Sequence, residues 1–253
     1  MTNLALVLNY VILYNHFTIN NIKTKGKSMD NTASSALKNE KIGKLLAKLA
    51  LPAVAAQLIN LLYNLVDRMY IGHIEGIGEL ALTGVGVCLS LITIIAAFAT
   101  LAGFGGAPRA SIYLGKGDKE NAEKVLGAST LLLIVVSTVI TIIMLIFSKD
   151  LLLLFGADDN TIQYAQEYMQ IYSMGTIFVQ LTLGLNAFIS AQGFSAISMV
   201  SVVIGAVLNI ILDPIFIFAL NMGVKGAALA TVISQFASTV FIICFLTGKK
   251  TTI

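Results

Sequence analysis

Charge is scarce in this sequence. Its 253 residues include 16 Lys and Arg and 13 Asp and Glu, which is 11% of the chain where a soluble domain carries about one quarter. So few charged side chains cannot cover a water-soluble globule of this size. Cysteine is scarcer still. Cys88 and Cys244 are too few for a disulfide scaffold; they sit in different apolar runs without metal-ligand spacing and read as small packing residues. There is no H-E-x-x-H, no Walker loop and no Ser/His pairing. His16 and His73 fall in a tail and a loop. Gly115-Lys116-Gly117-Asp118 spells the G-x-G-D of intramembrane aspartyl proteases, but Lys116, Lys119, Glu120 and Lys124 surround it. That makes it a solvated loop, whereas the protease needs two carboxyls sharing a proton inside the membrane. Nothing in the motif content points to an enzyme or to a bound cofactor.

What the chain has is apolar length. Hydrophobic residues make up 57%, too many for a disordered chain, and the reading is an all-α polytopic membrane protein. A spanning helix needs about 20 apolar residues. Five stretches qualify directly, at about Leu45–Ile71, Ala81–Ala107, Val125–Phe147, Tyr168–Gln192 and Gly226–Leu246. No charge occurs from Tyr168 to Leu212, a run of 45 residues, far longer than one crossing of a roughly 30 Å hydrocarbon core at about 1.5 Å per residue. The run must turn, and Ala191-Gln192-Gly193-Phe194-Ser195 offers the turn. A further helix from about Ile197 to Leu220 completes a six-helix bundle.

Basic residues set the expected orientation. Lys23, Lys25, Lys27, Lys38, Lys41, Lys44 and Lys48 precede the first span. Arg109, Lys116, Lys119 and Lys124 join the second to the third, and Lys249 and Lys250 follow the last. Lys149 and Lys225 alone lie on the other side, with Arg68 near the end of the first span. Both termini are therefore expected in the cytoplasm of a bacterial cell membrane. Residues 1–40 read as an N-terminal extension and tail. They have no basic leader and no small-residue cleavage site, which argues against a signal peptide; Met29-Asp30-Asn31 is a sensible start for a short polar tail, so residues 1–28 are expected to lie outside the functional fold. Residues 41–250 form the bundle.

Carboxylates inside spans carry the functional signal, since each costs about 2.5–3.5 kcal/mol at mid-bilayer on insertion scales. Asp67 ends a stripe with Gln57, Asn60 and Asn64 on one helix face, and Tyr63 lies one turn before it. Such a face must meet a cavity or another helix. Asp213 has Asn209 one turn below it, and Pro214 withholds a donor from the carbonyl of Ile210. An acid, an amide and a loosened carbonyl can together hold a proton or a hard cation such as Na⁺. The competing readings are an interfacial ion pair of Asp67 with Arg68, and helix–helix adhesion for Gln57 and Asn60. Pro52 is either a simple kink or a hinge.

These residues form a pattern. Leu51-Pro52-Ala53-Val54 and Tyr63-Asn64-Leu65-Val66-Asp67-Arg68-Met69-Tyr70-Ile71-Gly72-His73 resemble the first helix of the multidrug and toxic compound extrusion (MATE) transporters. The segments Gly115–Asp118 with Ala122-Glu123-Lys124, Ala191-Gln192-Gly193, and Gly223–Ala228 fit the same family, closest to its MepA-like branch. The resemblance runs from about Lys41 to Lys250 and covers one six-helix N-terminal lobe of a twelve-helix, two-lobe fold. It implies that a cation site falls on Asp67, Asn209, Asp213, Thr231 and Asn186. It also places Tyr63 beside that site, with Asn60, Asn64 and Gln57 as cavity candidates, and Pro52 as the bend of the first helix. The implied activity is export of bulky, often cationic, amphipathic drugs against H⁺ or Na⁺. The implied partners are the lipid bilayer, the drugs and a second six-helix lobe, as a separate chain or a second copy, with no nucleic acid. Two alternatives stand beside it: an orphan lobe that does not transport alone, and a lipid-linked oligosaccharide flippase of the wider superfamily.

Overall fold

A computed structural model describes residues 42–248 and 251–252; the expectation for residues 1–28 lies outside them. The described residues contain helices and no strand. In chain order the helices are α1 (Ile42–Gly72), α2 (Gly78–Gly115), α3 (Lys119–Leu154), α4 (Ile162–Met174), α5 (Thr176–Ala191), α6 (Ser195–Pro214) and α7 (Val224–Leu246). A π-helical turn, Ile215–Ala219, continues α6.

Five of these are long and apolar enough to cross a bilayer, counting α6 with its π turn. The sixth candidate is a bent pair of helices. α4 and α5 meet at Gly175 with a bend of 60°, where the sequence suggests one unbroken span from Tyr168. Only glycine fits at the break, because a side chain at Gly175 would run into Val232 of α7. α2 and α3, with 38 and 36 residues, outrun the hydrocarbon core at about 1.5 Å per residue. The stretch between the expected second and third spans is thus nearly all helix. Its loop is only Lys116 to Asp118, turned at Gly117 with φ +78°. Asp118 caps α3 by accepting from the Asn121 amide at 3.2 Å. The turn expected at Gln192 to Phe194 is present, with Gly193 at φ +89°.

The helices pack around α2, α5 and α7. α2 lies on α5 and α3, α5 on α3 and α7, and α6 on α7. Small residues permit this closeness. A Cβ on Gly103 of α2 would come within 2.9 Å of the Gly184 carbonyl of α5. α1 is the outlier. It rests chiefly on α6 and touches α2 only slightly, so Leu51, Val54, Leu58, Leu61, Leu62 and Leu65 stay exposed. Its last turns are anchored by buried Ile71 and by the Tyr70 ring, which meets Phe218 of the π turn edge-on at 6.1 Å. Asp67 is thereby held against α6.

Candidate functional site

Polar side chains gather where α1, α6 and α7 converge. Asp67 of α1 and Asp213 of α6 are 8% and 0% exposed. Their carboxyl groups face one another within hydrogen-bonding reach. Arg68 follows Asp67 directly and lines the same cavity. Asn209, one helical turn below Asp213, donates through Nδ2 to Asp213 Oδ1 at 3.1 Å and to Thr231 Oγ1 of α7 at 3.4 Å. The Thr231 hydroxyl donates in turn to the Ala227 carbonyl at 3.1 Å. This chain fixes the amide of Asn209 so that its oxygen is turned away from its partners.

The backbone around Asp213 follows from Pro214. Lacking an N–H, Pro214 leaves the Ile210 carbonyl without its helical donor; the five residues after it take the wider π spacing, with the Leu220 amide donating to the Ile215 carbonyl at 2.9 Å. Such bulges recur at functional positions in helices.

A cavity of about 240 Å³ opens beside the pair. α1 contributes Asn60, Tyr63, Asn64, Asp67 and Arg68 to its wall. Asn186 of α5 lines it too, with Nδ2 donating to the Ser198 carbonyl at 3.3 Å. Asp213 lies behind this wall and reaches the cavity through Asp67 and Asn209. Gln57 departs from the expected stripe. It is exposed, absent from the wall, and held only by a 3.4 Å hydrogen bond from Asn60. The cavity ends below it because only the later turns of α1 are backed by the bundle. Pro52 sits half-buried inside an unbroken α1, fifteen residues before Asp67, well outside the cavity.

Buried oxygens without a donor mark what the site can take. They include Asp67 Oδ1, Asp213 Oδ2, Asn209 Oδ1, Asn186 Oδ1, Ser234 Oγ and Gln235 Oε1. Buried polar atoms are normally satisfied, and a cluster of bare oxygens is the donor set that a proton or a hard cation prefers. No group of three or more His, Cys, Asp or Glu side chains that could hold a metal ion occurs among the described residues.

Two sets of wall residues escape the reading of the sequence. Ser234, Gln235 and Ser238 of α7 line the cavity beside the expected Thr231, at offsets 3, 4 and 7 from it, a helical stripe as legible as that of α1. Tyr168 and Tyr172 had no such signal. They stack at 5.9 Å and both line the cavity, just before the bend at Gly175.

A carboxyl pair, two amides and a threonine thus meet at a polar cavity inside a bundle of helices long and apolar enough to cross a membrane. The family model MatE matches residues 52–215, and the chain belongs to that family. It is 30% identical over 212 residues to the multidrug export protein MepA of Staphylococcus haemolyticus, covering 84% of this chain and 46% of the relative. MepA of Staphylococcus aureus strain MSSA476 is 29% identical over 202 residues. Crystal structures of MATE in the bent and straight conformations match with TM-scores of 0.75 and 0.75 and identities of 31% and 30%, over 82% and 81% of this chain and 46% and 45% of theirs. The chain spans about half the length of the curated relatives it matches, which is one lobe.

Proposed function

We propose that this chain is the ion-binding lobe of a multidrug exporter, and that it exchanges amphipathic, often cationic, drugs for H⁺ or Na⁺ without acting as an enzyme. The observation that carries the reading is the Asp67–Asp213 pair, wired through Asn209 to Thr231 and opening on the cavity. A cation held between the two carboxyls draws α1 to α6. Its departure leaves two like charges in hydrogen-bonding reach, worth about 4 kcal/mol of repulsion at 4 Å and an effective dielectric of 20. That difference biases the position of α1, and an ion moves such an equilibrium only through differential affinity for the two states. α1 is suited to move because little besides α6 holds it.

The cavity of about 240 Å³ is smaller than the roughly 300–1,000 Å³ of drug-sized pockets. A second six-helix lobe, on a separate chain or a second copy, supplies the opposing wall in this reading. The membrane is the bacterial cell membrane, with the Lys- and Arg-rich connections in the cytoplasm. The cavity wall contains a carboxylate and one arginine but no lysine, which favours cationic drugs over the pyrophosphate of a flippase substrate.

The test is drug resistance conferred by an efflux-competent, two-lobe version in a drug-sensitive bacterium. Asp67→Asn and Asp213→Asn together are expected to abolish resistance at unchanged expression. Wild-type resistance in that double variant would falsify the mechanism. Expressing the 253-residue chain with and without a second lobe distinguishes an exporter half from an orphan subunit.

A further inference from the structure

A second concave surface lies on the outside of the bundle, between α2 and α3, far from the carboxyl pair. It is a groove of about 450 Å³ whose character changes along its length. One end is formed by Arg109 and Tyr113 of α2 and Lys124 of α3. The other is apolar, with Leu101 and Gly105 of α2 facing Ala128 and Leu132 of α3. Leu101 and Arg109 are eight residues apart, about 12 Å along a helix. The floor is open because nothing lies within 4 Å of where a Gly105 side chain would begin.

The two cations differ. Lys124 is neutralised by Glu120 at 2.6 Å. Arg109 is exposed and has no carboxylate partner among the described residues. Its planar fork of donors matches a phosphate, and the hydroxyl of Tyr113 stands one turn along the same helix. Expected orientation puts this end at the cytoplasmic interface and the apolar end toward mid-bilayer. A basic pocket between helices at that level takes anionic lipid head groups.

We propose that this groove is a binding site for one anionic phospholipid of the cytoplasmic leaflet. The phosphate pairs with Arg109, Tyr113 stands beside the head group, and an acyl chain lies over Gly105 between Leu101 and Leu132. The proposal is independent of the transport reading, since it uses none of the cavity residues.

The experiment is native mass spectrometry of the purified intact chain, with dioleoyl phosphatidylglycerol competed against dioleoyl phosphatidylcholine. The wild type is expected to retain one phosphatidylglycerol with at least about fivefold preference. Arg109→Gln should reduce that preference to about twofold or less, and Arg109→Lys should restore part of it. Gly105→Leu, which fills the groove and keeps every charge, should also lose the lipid. Lys149→Gln, a cation lost at the other membrane face, should change nothing. Circular dichroism of each variant verifies that the helices are intact. Equal retention of the two lipids by the wild type overturns the proposal, as does undiminished preference in Arg109→Gln. Displacement of the lipid by millimolar inorganic phosphate overturns it too, because the acyl groove would then contribute nothing.

Discussion

Gly226→Ala is a one-methyl test of how the proposed ion site is held. Gly226 lies in the first turn of α7, against the π turn that follows Asp213. An added Cβ would come within 2.7 Å of the Phe216 carbonyl carbon, 2.8 Å of its oxygen and 2.9 Å of the Ile217 nitrogen. Carbon atoms in good contact are about 3.5–4.0 Å apart, so the overlap approaches about 1 Å. All three atoms are backbone, and no side chain can rotate away. α7 must shift from the π turn. Thr231 is five residues farther along α7, and its hydrogen bond from Asn209 is already 3.4 Å long. A shift of about half an ångström takes it beyond hydrogen-bonding range. Overpacking of this kind costs about 1–3 kcal/mol, offset in part by up to about 1 kcal/mol of helix propensity. The net loss expected is about 1–2 kcal/mol. If that strain falls on the ion-bound state, affinity for the coupling ion drops by roughly 5- to 30-fold. The assay is thermal unfolding of the two-lobe protein in detergent, titrated with Na⁺ and with pH. Gly127→Ala is the control, because nothing lies within 4 Å of its added methyl. A Gly226→Ala protein with wild-type stability and ion response would refute the claim that contact between α7 and the π turn sets the site.

Three more outcomes follow from particular contacts. Thr182 and Thr239 share a hydroxyl–hydroxyl bond of 2.8 Å between α5 and α7; a double-mutant cycle of the two Thr→Val changes is expected to give a coupling of about 0.5–1.5 kcal/mol, and zero coupling would remove the bond from the account. Asp118, capping α3, is held below its ordinary carboxylate value by the side chain and then the backbone of Asn121. A depressed folded value means that the cap stabilises above the unfolded pKa and fades as pH falls through the folded one. Hydrogen exchange at the Asn121 amide should thus quicken, relative to its intrinsic rate, only in strong acid, and Asp118→Ala should remove that pH dependence. Cys88 is buried and Cys244 exposed on the bundle surface, so a small membrane-permeant maleimide is expected to label Cys244 alone, and equal labelling of both would contradict the packing around α2.

Much of this architecture was legible because the bilayer simplifies the problem. With water excluded, every span must be a closed helix of sufficient length, so counting apolar residues located the crossings, and a charge-free run of 45 residues located the α5–α6 turn. Two features were not legible. The bend at Gly175 packs against Val232 of α7, a contact with no local trace, and the cavity-lining tyrosines of α4 lie just before that bend. The lengths of α2 and α3 were underestimated because hydrophobicity marks the bilayer and not the helix. Within the site, Asp67, Asn209 and Asp213 announced themselves as polar groups in an apolar setting. Gln57 announced itself equally and sits outside the wall, since a shared helix face does not guarantee a shared environment along a helix that the bundle supports at only one end. The α7 stripe was readable by the same rule that found the α1 stripe, yet hydroxyls and an amide are quieter signals than a carboxylate.

The central claim is that the drug and the coupling ion compete through the Asp67–Asp213 pair. It is tested most directly by adding a cationic amphipathic dye such as ethidium to the purified two-lobe protein in weak buffer. Proton release is followed with a pH indicator, and displacement of radioactive Na⁺ is followed in parallel. The account predicts release of about one cation per dye bound, by the reciprocity that links two coupled ligands. It predicts none from Asp67→Asn or Asp213→Asn, and no further change in the double variant, because the two carboxyls act as one site. Dye binding that releases no ion from the wild type, or release that persists in Asp213→Asn, would contradict it.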